Sequence, residues 1–171
     1  RRQRQMCIRD SFLLSALWVA VDQVVKYLVR TYIPLYASVP FLPGMDLTYV
    51  QNTGAAFSLL SEHTWVLTLL SAVVSVGLVV AMAKRILPHW SGMLSLALLL
   101  GGAVGNLIDR ALFGFVTDMF ETLFMRFAVF NVADICVVCG ALLGAVYYLW
   151  FYEKYDRKGG DHGEADAASG I

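Results

Sequence analysis

Residues 91–110 read SGMLSLALLLGGAVGNLIDR: eighteen uncharged residues from Ser91 to Ile108, then Asp109 and Arg110. At ~1.5 Å of helical rise per residue such a run covers about 27 Å, close to the hydrocarbon thickness of a bilayer. A second uncharged run, Ile135 to Tyr152, follows Asp134, and Asp118 lies in the short loop between the two. Carboxylates beside hydrocarbon are costly, so they mark working sites more often than filler. The pattern predicts a membrane protein built around acids.

Composition supports this. Of 171 residues 58% are apolar and only 15% charged, less charge than a soluble domain of this length carries. The zero net charge conceals segregation: the uncharged runs take most of the apolar residues, while 153–171 is polar and Gly-rich, too poor in apolar groups to bury a core. This segment is expected to be a disordered cytoplasmic tail, behind a single domain over 1–152. Three cysteines imply no disulfide framework. Cys136 and Cys139 form C-x-x-C inside an apolar run without further ligands, which reads as small buried hydrophobes. The chain opens on Arg1 rather than Met, as a sequence whose true start lies upstream would.

Hydropathy predicts four spans, about 11–29, 65–83, 91–108 and 129–152. The first has the basic flank and short apolar core of a signal peptide, but no small-x-small cleavage site follows and apolar character resumes beyond Asp22. Nine of the thirteen basic residues (Arg1, Arg2, Arg4, Arg9, Lys84, Arg85, Lys154, Arg157 and Lys158) flank one set of span ends. By the positive-inside rule both termini are expected in the cytoplasm, which puts Asp109, Asp118 and Asp134 at the outer face. Outside the spans, Leu47-Thr48-Tyr49-Val50 is β-prone and predicts a small sheet on the membrane surface. The Phe-rich segment 111–127 is expected to dip into the interface.

Several constellations could carry chemistry. Asp22 and Lys26, spaced i, i+4, share a helix face near mid-span and read first as a structural pair. Gly101 and Gly105 permit close helix approach. Asp109 can pair with Arg110 or Lys26, and structural and catalytic roles stand level for Asp109 and Arg110. Asn131 can cap the fourth helix, with Asp134 in its first turn, where the helix dipole favours a carboxylate. Asp118, among Val116, Met119 and Phe120, has no such structural explanation. Two nearby acids in a dry site share a proton, so one can activate water while the other polarises a peptide carbonyl. His63, His89 and His162 fall outside the spans, so no Ser-His pair or metal site is expected. A nucleophilic serine activated by Lys26 finds no serine beside it, and no cofactor or nucleic-acid pattern appears.

Five blocks, in order, resemble the bacterial lipoprotein signal peptidases, the type II signal peptidase family: Asp22-Gln23-x-x-Lys26, Asn52-Thr53-Gly54-Ala55-Ala56-Phe57, Gly101 to Arg110, Val116-x-Asp118, and Phe130-Asn131-x-Ala133-Asp134. The resemblance implies an all-α membrane protein of four transmembrane helices, with a small extracytoplasmic β-cradle and a short mobile extracytoplasmic helix. It implies an aspartic endopeptidase of the bacterial inner membrane that cuts prolipoproteins before a diacylglyceryl cysteine. Asp118 and Asp134 would be its catalytic pair, and Asp22, Lys26, Asn52, Gly54, Asn106, Asp109, Arg110, Asn131 and Ala133 would support the site. Expected partners are lipid-modified prolipoproteins, membrane lipid and globomycin-type inhibitors, with no nucleic acid, and a monomer is expected.

The sequence departs from the family pattern at Thr117 and Met119, where Val and Phe are common, and at Ile135, often Ser. The segment before Phe130 also lacks the usual Trp and Pro. These differences bear on loop conformation and substrate preference. A small proton-coupled transporter is the competing reading; the crowding of three acids at one face, with no acid deep in spans two to four, argues against it. A purely structural subunit leaves the acids unexplained.

Overall fold

The computed structural model describes residues 8–54, 64–87 and 89–150. Four long apolar helices, α1 (Ile8–Tyr32), α2 (Thr64–Ala83), α3 (Trp90–Phe113) and α4 (Val132–Tyr147), are joined at one end of the bundle by a three-stranded antiparallel sheet. Its strands are β1 (Ser38–Leu42), β2 (Met45–Asn52) and β3 (Val116–Thr122), in the order β1-β2-β3. All four helices have the length and composition to cross a bilayer. Cys136 and Cys139 are free thiols. Residues 1–7 and the tail 153–171 lie outside the described residues. So does 55–63, and the described residues contain no short helix beside the sheet.

α3 is the hub. It packs against α1, α2 and α4, and 56% of its span is buried, against 17–28% for the others. Small residues make this possible. A Cβ on Gly102 would lie 2.4 Å from the Ala133 carbonyl oxygen of α4, and one on Gly101 would meet Trp18 and the Ser15 carbonyl of α1. Gly105 sits between Asp22 and Ala133, so α1, α3 and α4 converge there almost backbone to backbone. Hydroxyls stitch the same seams: Ser15 Oγ donates to the Ala97 carbonyl (3.0 Å) and Ser95 Oγ to the Gly140 carbonyl (2.7 Å).

α1 is patterned inside out. Ser11, Ser15, Asp22, Lys26 and Val29 form its buried face, while Leu13, Leu17, Val24 and Leu28 point outward. Lipid replaces water as the solvent, so polar groups turn to the protein interior and leucines to the surroundings.

The helix ends differ from the hydropathy reading. α3 continues past Asp109 to Phe113 and stops where Gly114 adopts φ 77°, its N–H capping the Arg110 carbonyl. Asp109 and Arg110 therefore lie within the last turns of the helix rather than beyond its end. The fourth helix begins at Val132, not 129, because Asn131 caps it. Segment 111–127 is not a loop throughout: Val116–Thr122 pairs antiparallel with β2, so Asp118 stands on a strand. A register shift between Leu47 and Val50 buries consecutive Thr48 and Tyr49; Tyr49 packs with Val29 and Met119, while Thr48 hydrogen-bonds Glu121.

The Gly102 contact is with a backbone carbonyl, which cannot rotate aside. Gly102→Ala should cost about 1–3 kcal/mol of packing strain, outweighing the roughly 1 kcal/mol helix-propensity gain of alanine. Gly77, where an added Cβ would meet nothing within 4 Å, is the internal control. Thermal unfolding in detergent should show Gly102→Ala below the parent and Gly77→Ala at or above it.

Candidate active site

The site forms where the N-terminus of α4, the end of β2, the middle of β3 and the last turns of α3 meet. Asp134 is fixed by a reciprocal cap. Its N–H donates to Asn131 Oδ1 (2.9 Å), and its Oδ2 accepts the Asn131 N–H (3.2 Å). Its other oxygen accepts from Asn106 Nδ2 at 2.9 Å. Asp118, only 2% exposed, accepts from Asn131 Nδ2 (2.6 Å) through Oδ1 and from Asn52 Nδ2 (2.9 Å) through Oδ2. Asn131 thus touches both aspartates, holding one by its side-chain amide and the other by its backbone and carbonyl oxygen. Asn52 is oriented by the Gly54 N–H, which donates to its Oδ1 at 3.0 Å.

Both carboxyls line one cavity of about 490 Å³. Its polar floor is Asn52, Gly54, Asn106, Arg110 and Asn131; its apolar walls are Phe127–Phe130 and, on α4, Ile135, Val137, Val138 and Cys139. Arg110 reaches the Gly54 carbonyl at 3.5 Å, and its buried Nε has no hydrogen-bond partner among the described residues. Burial pushes the Asp118 carboxyl up to about 6. The Asn52 hydrogen bond opposes the rise and the charge of nearby Asp134 adds to it. One acid that holds its proton near neutrality, beside a second carboxylate, can run acid and base chemistry on one substrate.

A second layer lies beneath. Lys26, fully buried, bridges Asp22 (2.9 Å) and Asp109 (3.4 Å), and its Nζ also donates to Asn106 Oδ1 at 2.9 Å. Asp22 Oδ1 accepts the N–H of Ala133, the residue before Asp134, at 2.9 Å. Asp109 Oδ2 accepts the N–H of Thr117, the residue before Asp118, also at 2.9 Å. The two buried acids therefore hold the backbones that carry the two cavity acids. Asp109 pairs with Lys26 and Arg30 (3.6 Å), and among the described residues has no ion pair with Arg110.

All the residues singled out from the sequence come together here: Asp22, Lys26, Asn52, Gly54, Asn106, Asp109, Arg110, Asp118, Asn131, Ala133 and Asp134. The structure adds three further participants to which the sequence reading assigned no role. Gln23 Nε2 donates to the Gly105 carbonyl (3.0 Å) and lies 3.2 Å from Asp109 Oδ1. Arg30 donates to Thr117 Oγ1 at 2.9 Å and stacks over Phe113, and Thr117 receives that bond while bonding Asp109. Arg30 had a signal: Asp22, Lys26 and Arg30 follow at i, i+4 and i+8 on one helix face. Gln23 and Thr117 act through contacts that only the folded chain creates.

A four-span bundle with paired, asparagine-held carboxyls in a cavity at its sheet end is the constellation of a membrane-embedded aspartic hydrolase. Comparison with known proteins sharpens the class. The profile of the signal peptidase (SPase) II family matches residues 14–150. A lipoprotein signal peptidase of Enterococcus faecalis is 40% identical over 149 residues, covering 86% of this chain and 92% of that one. A lipoprotein signal peptidase of Brevibacillus brevis is 38% identical over 130 residues, covering 75% and 87%. A bacterial membrane enzyme solved in meso at 2.3 Å superposes with a TM-score of 0.80 at 28% identity, covering 91% of this chain and 96% of that one. The chain belongs to the signal peptidase II family, membrane proteases of the aspartic type that cleave signal peptides from prolipoproteins. It is a multi-pass membrane protein, consistent with the bacterial membrane.

Removing one member of a buried charge cluster strands the others. Asp109→Asn leaves the Lys26 charge undercompensated and should destabilise by about 3–5 kcal/mol, with Asp22→Asn behaving alike. Detergent unfolding curves should show both losses together with reduced activity, in contrast to changes confined to the cavity acids.

Proposed function

We propose that Asp118 and Asp134 are the catalytic pair that cuts the prolipoprotein immediately before its lipid-modified cysteine. The observation that carries this reading is their shared cavity, with Asp118 pushed up to about 6 by burial. Asp118 is the acid; Asp134, at the positive end of α4, is the base. Asp134 takes a proton from water as the water oxygen attacks the scissile carbonyl, and Asp118 gives its proton to the carbonyl oxygen. The tetrahedral diol then collapses: Asp134 returns its proton to the leaving amine, Asp118 recovers one from a diol hydroxyl, and the C–N bond breaks. The pair ends as it began, with one water consumed.

The cavity's α4 wall supports lipid selection. Ile135 (42% exposed) and Val138 (57%) belong both to that wall and to the outer face of the helix, so the apolar lining continues into the bilayer-facing surface. A diacylglyceryl substrate can enter sideways with its chains still in hydrocarbon, which favours them by ~0.8 kcal/mol per buried CH₂. Globomycin-type inhibitors would occupy the same cavity. Every site residue comes from one chain, so a monomer suffices. The supporting residues are Asp22, Lys26, Asn52, Gly54, Asn106, Asp109, Arg110, Asn131 and Ala133.

Either Asp118→Asn or Asp134→Asn should abolish cleavage of a lipid-modified precursor while the protein stays folded. The double variant should lose little more, because groups acting as a unit are non-additive. Cleavage by either folded single variant, beyond a deamidation trace, would sink the mechanism. The reaction needs protonated Asp118, so kcat/KM should fall as pH rises through about 6. Asn52→Leu removes a hydrogen bond that favours the carboxylate, so the midpoint of that fall should move to higher pH.

The basic-residue distribution supports a cytoplasmic position for both termini and the Lys84-Arg85 turn, with the sheet and the cavity at the periplasmic face. In intact cells, a membrane-impermeant thiol reagent should label Leu123→Cys and spare Ile86→Cys, with labelling of native cysteines subtracted. The reverse result rejects this orientation.

A further inference from the structure

Two cavities meet at Asp118. The first, which holds both aspartates, runs along the apolar wall of α4. The second, about 520 Å³, is walled by Gln51, Asn52 and Thr53 on one side and by Arg126 and Phe127 on the other. The two share Asn52, Asp118 and residues 127–129, but no α4 residue lines the second. The first cavity thus has an apolar wall continuous with the lipid-facing surface. The other lies over the end of β2, where amides, a hydroxyl and a guanidinium share the lining with Val50 and residues 127–129.

A peptide cut between two aspartates needs room on both sides of its scissile bond. The signal segment and the acylated cysteine are apolar and match the first cavity. The chain beyond the cysteine is the part that must leave the lipid, and the second cavity is the more polar of the two spaces that adjoin Asp118. We propose that this second cavity is the subsite for the first residues of the mature chain, and that Arg126 makes it favour a carboxylate side chain there. The inference rests on Asp118 and Asp134 being the cleaving pair. Arg126 is exposed and, among the described residues, forms no ion pair and is the only cation lining this cavity. Its charge is therefore available to a substrate. Asp118, the other charged group among the described lining residues, is already engaged through both carboxyl oxygens by Asn52 and Asn131.

The test uses three diacylglyceryl peptides with identical signal segments, differing only in the residue after the modified cysteine: Asp, Ser or Lys. The full-length protein in phosphatidylcholine vesicles should cleave them in the order Asp, Ser, Lys. The steps should be about two- to fivefold, as an exposed charge pair gives, carried in KM and shrinking with added salt. Arg126→Gln should flatten the order and Arg126→Glu should reverse it, with unfolding midpoints matching the parent. An unchanged order in Arg126→Glu, or an equal shift for all three peptides, overturns the subsite. An equal response of all three to anionic lipid, lost in Arg126→Glu, also overturns it by assigning Arg126 to the bilayer surface. Cleavage by folded Asp118→Asn is a separate failure: it removes the catalytic pair on which the subsite depends, whatever the peptide order.

Discussion

A single ammonium group organises this molecule. Lys26 sits fully buried between Asp22 and Asp109, and it also holds Asn106. A lysine there is tolerable only with its charge matched and its hydrogens used, and each partner does a second job. Asp22 grips the backbone entering α4, Asp109 grips the backbone entering Asp118, and Asn106 holds the Asp134 carboxylate. One helix of the bundle thereby sets the position of two carboxyls that arrive from a strand and from another helix. The cost of burying the charge is offset by preorganisation, since neither acid has to find its place when substrate arrives.

This explains why glycines crowd α3. The ammonium cluster can form only if α1, α3 and α4 approach closely, and Gly105 leaves the gap into which the Asp22 carboxylate projects. Side chains would hold the helices apart and the bonds to Ala133 and Thr117 would lengthen together. Packing and electrostatics are here one constraint, met at the same level of the bundle.

The spans are legible in the sequence because hydrocarbon enforces long uncharged runs, and the acids are legible because the same rule makes them rare. The ends are less so. Charge at Asp109 suggests a boundary, yet the helix runs on because that charge is neutralised inside the protein by Lys26 and Arg30 rather than by water. β3 reads as a loop because period-2 alternation is missing: Val116, Thr117, Asp118 and Met119 are all buried, so both strand faces are covered. Asn131 is legible as a cap from its place before Asp134, whereas its second role, bonding Asp118, depends on a strand pairing that no local pattern announces.

The register shift in β2 has a further consequence. Thr48 and Tyr49 both turn inward there, one tied to Glu121 and the other wedged against Val29 and Met119, so β3 is pinned just beyond Asp118. Strands slide only in whole residues, and each step turns every side chain to the opposite face. A one-residue slip would therefore turn the acid of β3 away from Asn131, and a two-residue slip would carry it along the strand past that partner. The walls of this cavity can change one methyl at a time, but a length change within residues 116–122 would move the acid itself, so the register of this strand is a constraint on the site that side-chain substitution cannot relax.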